Sequence, residues 1–193
     1  MPQASVTLKR RIDAATYNRV AQSKQEDFIV FLAGPYIDPE QALPAGSSHA
    51  TLLRYELFHR LQKAGHIVSL GEYKEVIDAY KQELGDYHNA AVAEVGHAKD
   101  TAHAVVIIVD SPGSFAEIGA FAMKKEICEK MMVISDQAHK NSIGYVRTGP
   151  IDLSKSFGAI VEFINLPDID PTEALVTKFI ERLVQRRRAL RIL

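Results

Sequence analysis

Three carboxylates stand where a parallel sheet could bring them to chemistry: Glu94, Asp110 and Glu117. Asp110 ends the apolar run AVVIIV, Ala104 to Val109. That run is short enough for a strand and too apolar for a half-exposed one, so it reads as a buried parallel strand. The loop Ser111-Pro112-Gly113-Ser114 follows, then a helix expected to open around Phe115 and reach about Glu129. Ser114 reads as its N-cap, with Glu117 three residues on completing a capping box. Ligands of open parallel sheets bind outside the carboxyl ends of the strands, so Asp110 and Glu117 can converge at the expected place. The same residues also fit a structural assignment, since Asp110 can simply end the strand and acidic groups favour helix N-termini. Glu94 lies upstream beside Ala91, Val95 and Ala98, either aimed at the carboxyl end of the central strand or solvated on its helix.

The elements that must position these groups alternate along the chain. A first strand, FIVFLA from Phe28 to Ala33, leaves through Gly34-Pro35-Tyr36. Gly34 permits close backbone approach, and Pro35 prevents an immediate helix. The loop from Ile37 to Ser47 is longer than most strand-to-helix connections, which hints at function. A helix from about His49 to Lys63 follows, with Ser48 as N-cap and Leu53, Leu57 and Leu61 as core stripe, widened by Leu52 and Phe58. A hydroxyl-rich helix start can bind a phosphate, although an ordinary serine cap explains it equally. Ile67 to Leu70 is a second strand, and residues 71 to 99 read as helical in two pieces broken near Gly85-Asp86. Met131 to Ser135 and Ala159 to Ile164 complete the strands, separated by a loop-rich stretch, 136 to 158, placed to close over the site.

Outer helices are expected over Lys9 to Ser23 and Thr172 to Leu193, the latter with Leu175, Phe179, Leu183 and Val184 on its apolar side. The reading is one domain over residues 1–193, core about 28–165: a doubly wound α/β fold of about five mainly parallel strands, order 2-1-3-4-5, flavodoxin-like. That order sets the loops after the first and central strands on either side of one crevice. No G-x-G-x-x-G, P-loop or G-x-S-x-G motif occurs.

A net charge of −1 on 193 residues predicts no general attraction to nucleic acid or anionic membrane. The single cysteine, Cys128, excludes an internal disulfide and reads as a buried thiol. The histidines His49, His59 and His66 lack metal-ligand spacing, so neither a metal nor a cofactor is expected. No apolar run reaches membrane-spanning length and the N-terminal residues lack a signal-peptide pattern, so a cytoplasmic location is expected. The last helix ends in Arg182, Arg186, Arg187, Arg188 and Arg191, either a solvated basic face or a contact surface for nucleic acid or an acidic partner.

FLAGPY after the first strand, with VVIIVDSPGSFAEIGAFA after the third, resembles the nucleoside 2-deoxyribosyltransferase superfamily, which includes nucleoside-phosphate N-glycosidases. The resemblance covers roughly residues 28 to 135. It implies that Glu117 is the nucleophile at the anomeric carbon, that Asp110 handles the base or orients the glutamate, and that Glu94 is the other acid, where the family usually has Asp. It further implies substrate contacts from Gly34, Pro35, Tyr36, Gly113 and Ser114, to which the helix cap adds Ser48. The implied substrate is a nucleoside, a nucleoside 5′-monophosphate or NAD, with hydrolase and transferase both open. Members usually assemble as homo-oligomers, so a homo-oligomer is expected. A nucleotide sensor without turnover, or an effector subunit acting through the basic helix, would use the same residues differently.

Overall fold

A computed structural model describes residues 28–192, so the helix expected over 9–23 lies outside the described residues. Within them, five strands form one sheet in the order β2-β1-β3-β4-β5: β1 Ile29–Ala33, β2 Ile67–Ser69, β3 Ala104–Val109, β4 Met131–Asp136 and β5 Ile160–Ile164. Every pairing is parallel. The register sets Ala33 beside Ile107, which brings the end of β1 level with the last residues of β3.

The central strands are continuous apolar runs because helices cover both faces, leaving no position facing water. On one face Val30, Leu32, Val106 and Ile108 pack against α1 (His49–Lys63) and α8 (Ile169–Ile192) through Leu53, Leu57, Leu61, Val176 and Ile180. On the other, Phe31, Ala33, Val105, Ile107 and Val133 meet Ile118 and Phe121 of α5 (Pro112–Ala122), and Ile127 and Cys128 of α6 (Lys125–Cys128). Cys128 is a fully buried thiol whose pKa burial pushes up to about 11.

Between β2 and β3 the chain is helical in more pieces than the sequence suggests: α2 Lys74–Ala79, α3 Lys81–Leu84, a 3-10 turn at Gly85–Tyr87, and α4 Ala90–Gly96. The expected break is at Gly85, where φ is 53°. Past Gly96 the helix widens into an i→i+5 turn over His97–Thr101, and Lys130 Nζ caps it by donating to the carbonyls of Lys99 and Ala102.

Four expectations are corrected. The helix expected from Phe115 to Glu129 instead opens at Pro112 and stops at Ala122, with α6 as a separate turn. Residues 136–158 are not mainly loop: a wide turn, Arg147–Ile151, and α7, Asp152–Ser156, form the crossover from β4 to β5. In α8 the buried line is Val176, Phe179 and Ile180, whereas Leu175 faces outward. In α1, Phe58 is buried but Leu52 is 37% exposed.

The last contrast is measurable. Leu57→Ala removes a fully buried side chain and is expected to cost about 2–5 kcal/mol in chemical denaturation. Leu52→Ala, on the same helix, is expected to cost under about 1 kcal/mol.

Candidate active site

The loop after β3 is built by two serines. Ser111 is the N-cap of α5, its hydroxyl accepting from the Ser114 amide at 3.2 Å. Ser114 Oγ accepts in turn from the Ser111 amide at 2.8 Å and from the Asp110 amide at 3.0 Å, and donates to the Ser111 carbonyl. The capping box is therefore Ser111–Ser114, one turn earlier than the sequence suggests. Pro112 at the first helical position explains this, because its missing N–H needs no acceptor there. Ser114 is fully buried with its hydroxyl committed to the turn, so the loop backbone and not this side chain faces the crevice. Gly113 sits exposed at the helix start, where an added Cβ would meet only Ser111 Oγ at 3.9 Å.

Moving the cap one turn back changes the standing of Glu117. It lies beyond the first turn of α5, which contains no acidic residue, so capping does not explain it. Its Oε2 is buried with no hydrogen-bond partner, and the Gly34 backbone has only a small influence that favours the ionised form. Burial is the largest influence and pushes its pKa from 4.5 to about 7. The Glu94 charge pushes further the same way, and Arg54 opposes it.

Glu94 is the second member. Asn89 caps α4 by accepting from the Val92 amide, and His97, one turn after Glu94, pairs its Nε2 with Ser69 Oγ at 2.7 Å. These contacts fix α4 against the end of β2. Glu94 then lies directly on Gly71: a Cβ added there would fall 2.5 Å from Glu94 Oε1. Burial raises the Glu94 pKa, with the Glu72 charge adding to it and Arg54 lowering it.

Two residues of this cluster were missed in the sequence, Arg54 and Glu72. Arg54 is only 1% exposed, yet every hydrogen-bonding nitrogen of its guanidinium is used. Nε and NH2 donate to the Leu32 carbonyl, NH1 donates to the carbonyls of Gly34 and Pro35, and both NH groups hold Glu72, at 2.5 and 3.0 Å. A signal for Arg54 existed: it interrupts the buried positions 50, 53, 57, 58 and 61 of α1. A charge inside an apolar stripe must be paired. Gly34 makes the clamp possible, since its φ is 140° and a Cβ would lie 3.0 Å from the Ile108 carbonyl.

Asp110 sits among a different set of charges. Burial raises its pKa, and the charges acting on it are His139, Asp136 and His49, none of which acts on Glu117. Exposed Ser48, the observed N-cap of α1, stands on this side with His49. The charges that act on Glu117 are those of Glu94, Arg54 and Glu72, and Asp110 is not among them. Tyr36 is 71% exposed in the loop after β1, and Pro35 is buried beneath it. Among the described residues no group of three or more His, Cys, Asp and Glu could hold a metal ion.

The fold and this cluster define an α/β protein with a half-buried pair of acids, Glu94 and Glu117, at the carboxyl side of its first strand. The family model described as STM3845 retron effector protein matches residues 50–191, and the chain belongs to that family. Over 55 residues it is 31% identical to the Escherichia coli protein named "Retron Ec86 putative ribosyltransferase/DNA-binding protein", a match covering 28% of this chain. The matched segment spans 18% of that relative's length.

The raised pKa fixes a pH dependence of stability. The folded chain holds the Glu117 proton up to about pH 7, whereas the unfolded chain releases it near 4.5. A raised acid stabilises the fold below its unfolded pKa, and that contribution is lost as pH rises through the folded value. The stability of the native chain relative to Glu117→Gln is therefore expected to fall by roughly 3 kcal/mol between pH 4 and pH 8, read by urea denaturation at each pH.

Proposed function

We propose that the crevice cleaves N-glycosidic bonds of nucleosides or nucleotides, with Glu117 as the reacting carboxylate and Glu94 as proton donor. The observation that carries this reading is the buried, unpartnered Oε2 of Glu117 at the carboxyl end of the sheet. Leaving a carboxylate oxygen buried and unpaired costs free energy, and such cost is tolerated where a reacting group must be ready. Glycosyl chemistry suits the pair because its oxocarbenium-like transition state needs an anion at the sugar and an acid at the leaving group.

In the proposed sequence the ionised Glu117 attacks the anomeric carbon while the carbon–nitrogen bond breaks. The bonding pair leaves with the base, whose nitrogen takes the proton from Glu94. Water or a second base then attacks the same carbon, displacing Glu117, and its proton returns to Glu94. Water gives hydrolysis and a base gives transfer. The Gly34 backbone lies against the carboxylate's side of the β1 turn, and exposed Tyr36 and Phe115 offer apolar surface to a base. The word ribosyltransferase in the relative's name supports the same chemistry.

Incubating the protein with a panel of nucleosides, their 5′-monophosphates and NAD is expected to release free base, measured by chromatography. A second panel adds a free base as acceptor, and transfer is then read as a new nucleoside. Glu117→Gln is expected to abolish either product. Since the reaction needs the pair to hold one proton, kcat/KM is expected to fall as pH rises above about 7, where the pair loses its last proton. Undiminished product from Glu117→Gln would refute the assignment.

A second reading concerns α8, whose outer side carries exposed Arg182, Arg186 and Arg188. Membership of a retron effector family and the relative's name, which includes DNA-binding, favour a nucleic-acid contact here. Replacing those three arginines by glutamine is expected to weaken binding to single-stranded DNA and flatten its salt dependence, with base release unchanged. Binding indifferent to salt would count against it.

A further inference from the structure

We propose that Arg54 and Glu72 are positioning residues, whose ion pair holds the Leu32–Gly34–Pro35 turn against Glu117 and governs how the acid pair shares its proton. This rests on the reading of Glu117 as the reacting group, but the test below needs no turnover. The geometry is unusually complete. One buried guanidinium grips three carbonyls of the four-residue stretch from Leu32 to Pro35 at the end of β1, and the backbone of one of them, Gly34, also acts on Glu117. Moving Arg54 therefore moves the backbone that, with the Glu94, Arg54 and Glu72 charges, acts on that carboxylate.

Charge gives the second half of the argument. The groups acting on Glu117 are Glu94 from α4, Arg54 from α1, Glu72 from the segment after β2, and the Gly34 amide from the loop after β1. One cation thus serves three carboxylates. Glu72 holds both guanidinium NH groups, at 2.5 and 3.0 Å, and so takes the largest share of that charge. Glu94 and Glu117 are left facing each other in a partly buried site, where two like charges disfavour joint ionisation. Without Glu72, Arg54 would neutralise the acid pair and remove the proton that the reaction needs. Gly71 completes the arrangement by leaving room for the Glu94 carboxyl against the backbone just before Glu72.

The experiment is a side-chain carboxyl NMR titration of the full, ligand-free chain, with Glu117→Gln used to assign the Glu117 signal. Glu72→Gln deletes one negative charge and releases Arg54, so the Glu117 midpoint is expected to fall by roughly half a unit or more. Glu72→Asp keeps the charge and is expected to stay nearer the native midpoint. A purely structural pair would lower the melting temperature of Glu72→Gln and leave the midpoint where it was, and that result would overturn the proposal. If Glu72→Gln fails to fold, the native chain supplies the test. The Arg54 Nε–H resonance is then expected to exchange slowly and to shift with the Glu117 midpoint, and an Arg54 signal that ignores that titration would overturn it equally.

Discussion

A guanidinium buried to 1% exposure among Leu53, Leu57 and Leu32 would be ruinous without partners, because desolvating a charge costs several kcal/mol. Arg54 avoids that cost by donating to the Leu32, Gly34 and Pro35 carbonyls and to both oxygens of Glu72. The consequences spread outward. The carbonyls at the end of β1, which have no further strand partner, are satisfied from the side. The turn can then run tight against β3, and Gly34 alone tolerates the resulting φ of 140°. Of the charges near Glu117, Glu94 and Glu72 push its pKa up and only Arg54 pulls it down, so the carboxyl titrates at about 7.

The two ends of the sheet differ in kind. At the amino end, His103 Nδ1 accepts from the Ile29 amide and stacks on Phe28, and Lys130 caps the wide turn, so polar groups there are consumed by the fold. At the carboxyl end, Glu117 retains an unpaired oxygen and the acids are pushed away from their ordinary pKa values. A fold satisfies its buried polar groups where it can. Glu117 Oε2, buried without a partner where the strand order reverses, is an exception to that rule that the proposed chemistry would account for.

Much of the fold was legible because apolar runs in a covered parallel sheet are unambiguous. IVFLA, AVVIIV and MMVISD each became strands, the order 2-1-3-4-5 followed from the alternation, and His49 to Lys63 is a helix with the Ser48 cap. The loop after β3 was misread by one turn because two serines compete for the cap, and a proline decides between them only through a missing N–H. That local error concealed a useful fact, that Glu117 is not a capping residue. Glu94 was legible as a candidate but not its setting, since Gly71 lies far from it in sequence and touches it only through the packing of α4 on β2. Glu72 was silent, and Arg54 in the apolar stripe of α1 went unread because a lone charge on a helix ordinarily faces water, and only its pairing with the distant Glu72 shows otherwise.

The most direct test of the central claim is rapid-quench mass spectrometry of the protein incubated with the nucleoside, 5′-monophosphate and NAD panel, with peptide mapping around α5. The account predicts a transient pentosyl adduct, or its phosphorylated or nucleotide-linked form, on the peptide carrying Glu117, absent from Glu117→Gln together with base release. Base released at the native rate by Glu117→Gln, with no adduct on either chain, would contradict it.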